Sequence, residues 1–197
     1  MPTIDAQTVM ILAGVAAIAL LAVAAWIVYQ RRQSQRLQQR FGPEYSRTVD
    51  DLGSRAKAES ELKAREDRVE HLNIVALAPA EAARFAQVWN DLQGRFVDNP
   101  KGVVVQADQL VRELMQKRGY PIADFEHRAA DISVDHPAVV EHYRAAQAIA
   151  VRDGRGEADT EELRTAVVHY RSLFDELLEV QAPRQEVSTA RKMAVQS

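Results

Sequence analysis

The run from Val9 to Tyr29, VMILAGVAAIALLAVAAWIVY, carries no charged side chain and almost no polar one. A helix of about 20 apolar residues is what a bilayer core requires. Inside lipid every backbone N–H and C=O must be bonded within the chain, so a lone segment of this kind can only be a helix. The rest of the chain differs: it is rich in charge, favours helix, and is poor in glycine and proline. No stretch alternates apolar and polar residues with a period of two, so no sheet is expected. The expected fold class is therefore all-α: one N-terminal transmembrane helix, a charged connector helix and a small four- to five-helix bundle.

The apolar run has two readings, anchor or signal peptide. A signal peptide opens with basic residues, holds a short apolar run and ends at a small-residue cleavage site. Here residues 1–8 carry Asp5 and no Lys or Arg, and the apolar run is too long. Ala22-Val23-Ala24 does mimic a cleavage site and keeps a secreted alternative in view. Arg31, Arg32, Arg36 and Arg40 follow the run at once. By the positive-inside rule they place the N-terminus outside and the remainder in the cytoplasm. Trp26 and Tyr29 fall where an interfacial aromatic belt lies. These six residues form the expected membrane surface, with the arginines suited to anionic lipid headgroups.

Composition divides the chain into an extracytoplasmic tail (1–8), the span (9–29), a basic and charged connector (30–72), a helical domain (73–180) and a polar tail (181–197) expected to be disordered. The connector holds ten bases and eight acids, the domain twelve bases and eighteen acids. An acidic domain is a poor match for phosphate backbones, so no nucleic-acid partner is expected. Phe41-Gly42-Pro43 should break the spanning helix, with Pro43 opening the next. Ser54 to Glu70 alternates charge and reads as a solvated helix with pairs such as Glu59 with Lys63 and Glu61 with Arg65.

The domain shows successive amphipathic stripes. Phe85, Val88, Trp89, Leu92 and Phe96 follow Pro79. Val104, Ala107, Val111, Leu114 and Met115 follow Asn99-Pro100 and stop at Gly119. Ile122, Phe125, Ala129 and Ile132 mark a short helix. Val139, Tyr143, Ala146 and Ala150 mark another, ending near Gly154. Asp159-Thr160-Glu161-Glu162 offers a capping box to a last stripe of Leu163, Val167, Tyr170, Phe174, Leu177 and Leu178.

The one stretch dense in chemistry is DFEHRAADISVDHPAVVEHY, residues 124–143. His127 lies about 200° round the helix from Phe125 and so faces water, paired with Asp131 one turn on. Asp135 reads as the N-cap of the next helix, with Val134 and Val139 as a hydrophobic staple. His136 and Pro137 then begin that helix, and His142 and His169 sit off the apolar stripes. HxxxH and HExxH spacings, a GxSxG elbow and a glycine-rich phosphate loop do not occur. Without cysteine there is no thiolate ligand and no thiol nucleophile. No cofactor, metal or catalytic residue is expected. The stretch reads as a turn between helices, with Asp135 as its structural cap.

Four segments, RFGPEYSRTV (40–49), RFVDNPKGVVVQADQLV (95–111), RGYPIADFEHRAADISVDHPAVVEHYRAA (118–146) and HYRSLFDELL (169–178), resemble a family of uncharacterised small single-pass bacterial membrane proteins, variously labelled hypothetical, secreted or membrane protein. The resemblance covers most of residues 40–178 and implies placement at a membrane without implying an activity. Ala78 departs from the pattern where a capping serine is expected before Pro79.

The expected function is a membrane-anchored helical protein-interaction module, an adaptor or scaffold without catalysis. It would act through the membrane and a protein partner, with oligomers possible. Arg95, Arg118, Tyr120, His127 and Arg128 are candidate surface contacts. The alternative is a secreted or envelope helical protein with a weak metal or hydrolytic site built on Asp135, His136 and His142, with His169.

Overall fold

The computed structural model describes residues 6–178, with side chains over 14–178. Every element in that range is an α-helix, eight in all: α1 (Ala6–Phe41), α2 (Pro43–Leu52), α3 (Arg55–Glu70), α4 (Pro79–Gly94), α5 (Pro100–Arg118), α6 (Phe125–Asp135), α7 (Pro137–Gly154) and α8 (Thr160–Leu177). Four of the eight begin with proline, which has no N–H to leave unbonded and a φ already suited to the first turn. The helices fall into two compact units, Met1–Ala64 and Arg65–Ser197. The division comes inside α3, earlier than the expected boundary at 72, because Arg68 already bonds to Asp131 of α6.

In the first unit, α1 carries the apolar run outward without a break. Over Gly14–Phe41 it is long and apolar enough to cross a membrane. The break comes at Gly42, whose φ of 51° lies in the left-handed region that suits a residue without a Cβ. Pro43 then opens α2, which packs back along α1. A second left-handed glycine, Gly53, closes α2. The connector is thus two helices rather than one. Leu37 and Phe41 of α1, Tyr45 of α2, and Ala58 and Leu62 of α3 are all buried. The expectation of a solvated helix over 54–70 fails here, because sparse apolar positions one turn apart were enough to give α3 a buried face.

The second unit is a helical bundle centred on α8, which packs on both α5 and α7; α6 packs on α7 and α4 on α5. Its core is aromatic. Trp89 stacks on Phe174 with centroids 4.7 Å apart, and Tyr143 meets Phe125 at 4.8 Å and Tyr170 at 6.3 Å. The expected stripes of α5 and α8 are buried almost position for position, while Val88 and Ile122 are exposed. Ile122 lies in the loop before α6 and is 85% exposed.

The caps explain the helix ends. Asn99 accepts from the Gly102 amide at 3.0 Å. Asp159 and Glu162 form the anticipated reciprocal capping box. Ala78 offers no side-chain cap. Gly119 ends α5 at φ 99°, where an added Cβ would lie 2.3 Å from the carbonyl oxygen of Asn73. Only glycine admits that crossing of the 71–78 segment, which is tied down by Val75 N–H donating to the Arg118 carbonyl at 2.8 Å.

Candidate functional site

The histidine-rich stretch distributes its groups to separate places. Asp124, not Asp135, is the side chain that caps a helix here. It accepts from the His127 amide at 3.0 Å, and its other oxygen lies 2.7 Å from the His127 ring. Those bonds, the backbone one first, hold its carboxyl below the ordinary range. The expected pair of His127 with Asp131 is therefore corrected. Asp131 is turned inward, its side chain 3% exposed, and accepts from Arg68 Nε at 2.8 Å.

Asp135 is also corrected. It is the last residue of α6, and the N-cap position of α7 belongs to His136. Pro137 occupies the first helical position, and the residue before a proline is pushed out of helical conformation, so the boundary falls one residue later than expected. The His136 side chain points into the protein, 2.9 Å from Glu176 of α8. His142 of α7 meets His169 of α8, Nδ1 to Nδ1, at 2.9 Å. One of these two rings must donate and the other accept, so the contact requires at least one neutral imidazole. Burial first, then the charge of His142, lowers the pKa of His169. The structure thus brings His142 to His169 and sends His136 elsewhere. Among the described residues no group of three or more His, Asp or Glu is placed to hold a metal ion.

The surface candidates also divide. Arg95 and His127 are exposed. Tyr120 is buried, a correction, since the chain turning at Gly119 carries it into the apolar core of the bundle; burial chiefly raises its phenol pKa. Arg118 donates to the Leu177 carbonyl at 3.0 Å. Arg128 donates to the Tyr143 hydroxyl at 3.0 Å and to the Ala123 carbonyl. Those two arginines bind the bundle together.

The densest polar constellation is one that sequence reasoning missed. Glu59 Oε1 accepts from Ser34 of α1 at 2.6 Å, from Tyr45 of α2 at 2.8 Å and from Arg55 of α3 at 3.0 Å. One carboxylate therefore ties all three helices of the first unit. Arg55 Nε also reaches the Tyr45 hydroxyl at 3.0 Å. Burial alone raises the Glu59 pKa, but the three donors outweigh it and hold the carboxyl below its ordinary range. Burial, then the bond to Glu59, raises the Tyr45 phenol. The legible signal was Ala58 and Leu62, one turn apart, flanking Glu59 on a helix taken as solvated.

Trp26, Tyr29, Arg31, Arg32, Arg36 and Arg40 all lie exposed on α1, where it leaves its apolar run. Trp26 and Gln30 line clefts between α1 and α3 on both sides: Arg31, Arg55 and Ser34 border one, Tyr29, Gln33 and Lys63 the other.

Fold and site define a class: an all-α protein with one N-terminal helix long and apolar enough to cross a membrane, followed by a polar-tied helical unit and an aromatic-cored bundle. No family model, curated protein or solved structure matches the chain.

Proposed function

We propose that the chain is a single-pass membrane protein of the bacterial inner membrane that displays its helical bundle in the cytoplasm as a protein-interaction module. The observation that supports this most is the continuity of α1. The apolar helix runs without interruption past an aromatic pair into arginine-bearing turns and only then folds back. An anchor so built restricts the bundle to two dimensions and leaves it free to meet a partner. Val97, 88% exposed, and Ile122 present apolar side chains on an otherwise acidic domain and suit a protein contact better than a phosphate one.

Two measurements test the reading. Full-length protein should stay with the membrane through alkaline extraction, and a chain starting at residue 30 should not. A photocrosslinking residue at Ile122 should give one discrete adduct in native membranes. Release of the full chain, or a diffuse adduct pattern, would overturn it.

A further inference from the structure

The fold-back of the first unit has a consequence for where its turn lies. α2 is ten residues long and at a rise of about 1.5 Å per residue carries the chain back roughly 15 Å along α1. The start of α3 therefore returns to the level at which α1 leaves its apolar run. The side chains agree: Arg55 and Ala56 border the same cleft as Trp26, Ile27 and Gln30. Further along, Glu59 meets Ser34, so α3 runs down beside α1 in the same direction. The α2–α3 turn, with Leu52 exposed at its tip, stands level with the aromatic pair Trp26 and Tyr29.

The charges at that level are set for an anion. Arg31 makes no hydrogen bond or ion pair among the described residues. Arg55 is held by its Nε, which donates to Glu59 and Tyr45, so its guanidinium is fixed while its two terminal nitrogens donate to nothing among the described residues. A guanidinium presents paired donors that match phosphate oxygens. Trp26, 61% exposed, borders the cleft with an apolar ring suited to the headgroup level.

We propose that the α2–α3 turn sits in the headgroup layer of the membrane that α1 crosses, and that the cleft between α1 and α3 seats the phosphate of an anionic phospholipid between Arg31 and Arg55. This rests on the membrane-spanning reading of α1. The first unit is then a clasp lying on the membrane rather than a stalk leading away from it. The lipid matched is one whose headgroup bears net negative charge, because Glu59, which also borders the cleft, balances Arg55 and leaves Arg31 as the net positive charge, to which a zwitterionic headgroup would add its own cation.

The test uses the full chain in lipid nanodiscs. It has no cysteine, so Leu52→Cys and Val15→Cys each give a single site for a nitroxide label. Both are expected to be shielded from a water-soluble paramagnetic chelate, Val15 at hydrocarbon depth and Leu52 at headgroup depth. A Val15 label open to the chelate overturns the membrane-spanning reading itself. A shielded Val15 with a freely accessible Leu52 overturns only the headgroup placement. For the lipid, native mass spectrometry from nanodiscs mixing phosphatidylglycerol and phosphatidylcholine should show the protein retaining phosphatidylglycerol. Arg31→Gln should weaken that preference about five-fold, and Arg95→Gln, far along the chain in the bundle, should not. Equal retention of both lipids, an unchanged preference in Arg31→Gln, or displacement by added inorganic phosphate overturns the lipid assignment.

Discussion

The two units are held together by opposite means. In Met1–Ala64 the three helices meet through one carboxylate, Glu59, with a thin set of apolar contacts around Leu37, Phe41 and Leu62. In Arg65–Ser197 the helices close on stacked rings, Trp89 on Phe174 and Tyr143 between Phe125 and Tyr170. A polar node fixes register, because its three donors accept only one arrangement, yet contributes modest net stability. An aromatic core contributes more and forgives polar change at its rim. On the proposed placement, a clasp beside a membrane draws on the first property and a bundle displayed in water on the second.

That contrast breaks most sharply at Trp89. Trp89→Ala empties the largest fully buried side chain of the second unit and should cost it about 3–5 kcal/mol. A urea melt of the bundle reads this loss, while hydrogen exchange in α2 and in residues 55–64 of α3 should stay as it was. Loss of protection in both units together would mean that they do not fold separately.

Glu59→Ala is the reciprocal change. It strips Ser34, Tyr45 and Arg55 of their shared acceptor and should remove about 1–3 kcal/mol from the first unit. The readout is faster amide exchange through α2 and residues 55–64 of α3, with α4–α8 untouched. An unaltered exchange pattern would show that the apolar contacts alone suffice and the node is incidental.

A smaller effect is expected at Asp159, whose side chain accepts from the Glu162 amide at 2.8 Å while Glu162 returns to the Asp159 amide at 3.0 Å. Asp159→Ala should cost the bundle about 1 kcal/mol, seen as a lower urea midpoint with an unchanged slope. No shift in the midpoint would mean that the Arg152–Glu162 pair holds the end of α8 without the cap.

The smallest effect is a pH dependence confined to the bundle. His169 has a folded pKa below its ordinary value of 6.5, so the unfolded chain binds the proton more tightly. The stability that the neutral ring supplies is complete above that value and falls as pH drops through and below it. Urea midpoints at successive pH values should decline in that window, and His169→Gln should flatten the decline. A decline just as steep in the variant would assign it to other groups.

Much of the architecture was legible in the sequence. The unbroken apolar run, the prolines at helix starts, the left-handed glycine after α5 and the capping box of α8 are local signals, and each stands where it was read. Hydrophobic spacing gave the buried faces of α5 and α8 because a 3.6-residue period survives in any packing. What escaped depended on distant partners. Asp131 looks like an exposed neighbour of His127 until Arg68 arrives from α3. Glu59 looks like one of many surface acids until α1 and α2 supply its donors. Nothing near His142 in sequence announces His169, a helix away. The misplaced cap at Asp135 was a local error of another kind, in which Pro137 outweighed the capping preference of the aspartate.

The most direct test of the account is the side of the membrane on which the bundle lies. Val97 is highly exposed, and in a chain without cysteine Val97→Cys gives one accessible thiol. A membrane-impermeant maleimide applied to cells with an intact inner membrane should leave it unlabelled, and labelling should become complete once that membrane is opened. Full labelling in the intact cells would place the bundle outside, contradicting the orientation assigned to Arg31, Arg32, Arg36 and Arg40.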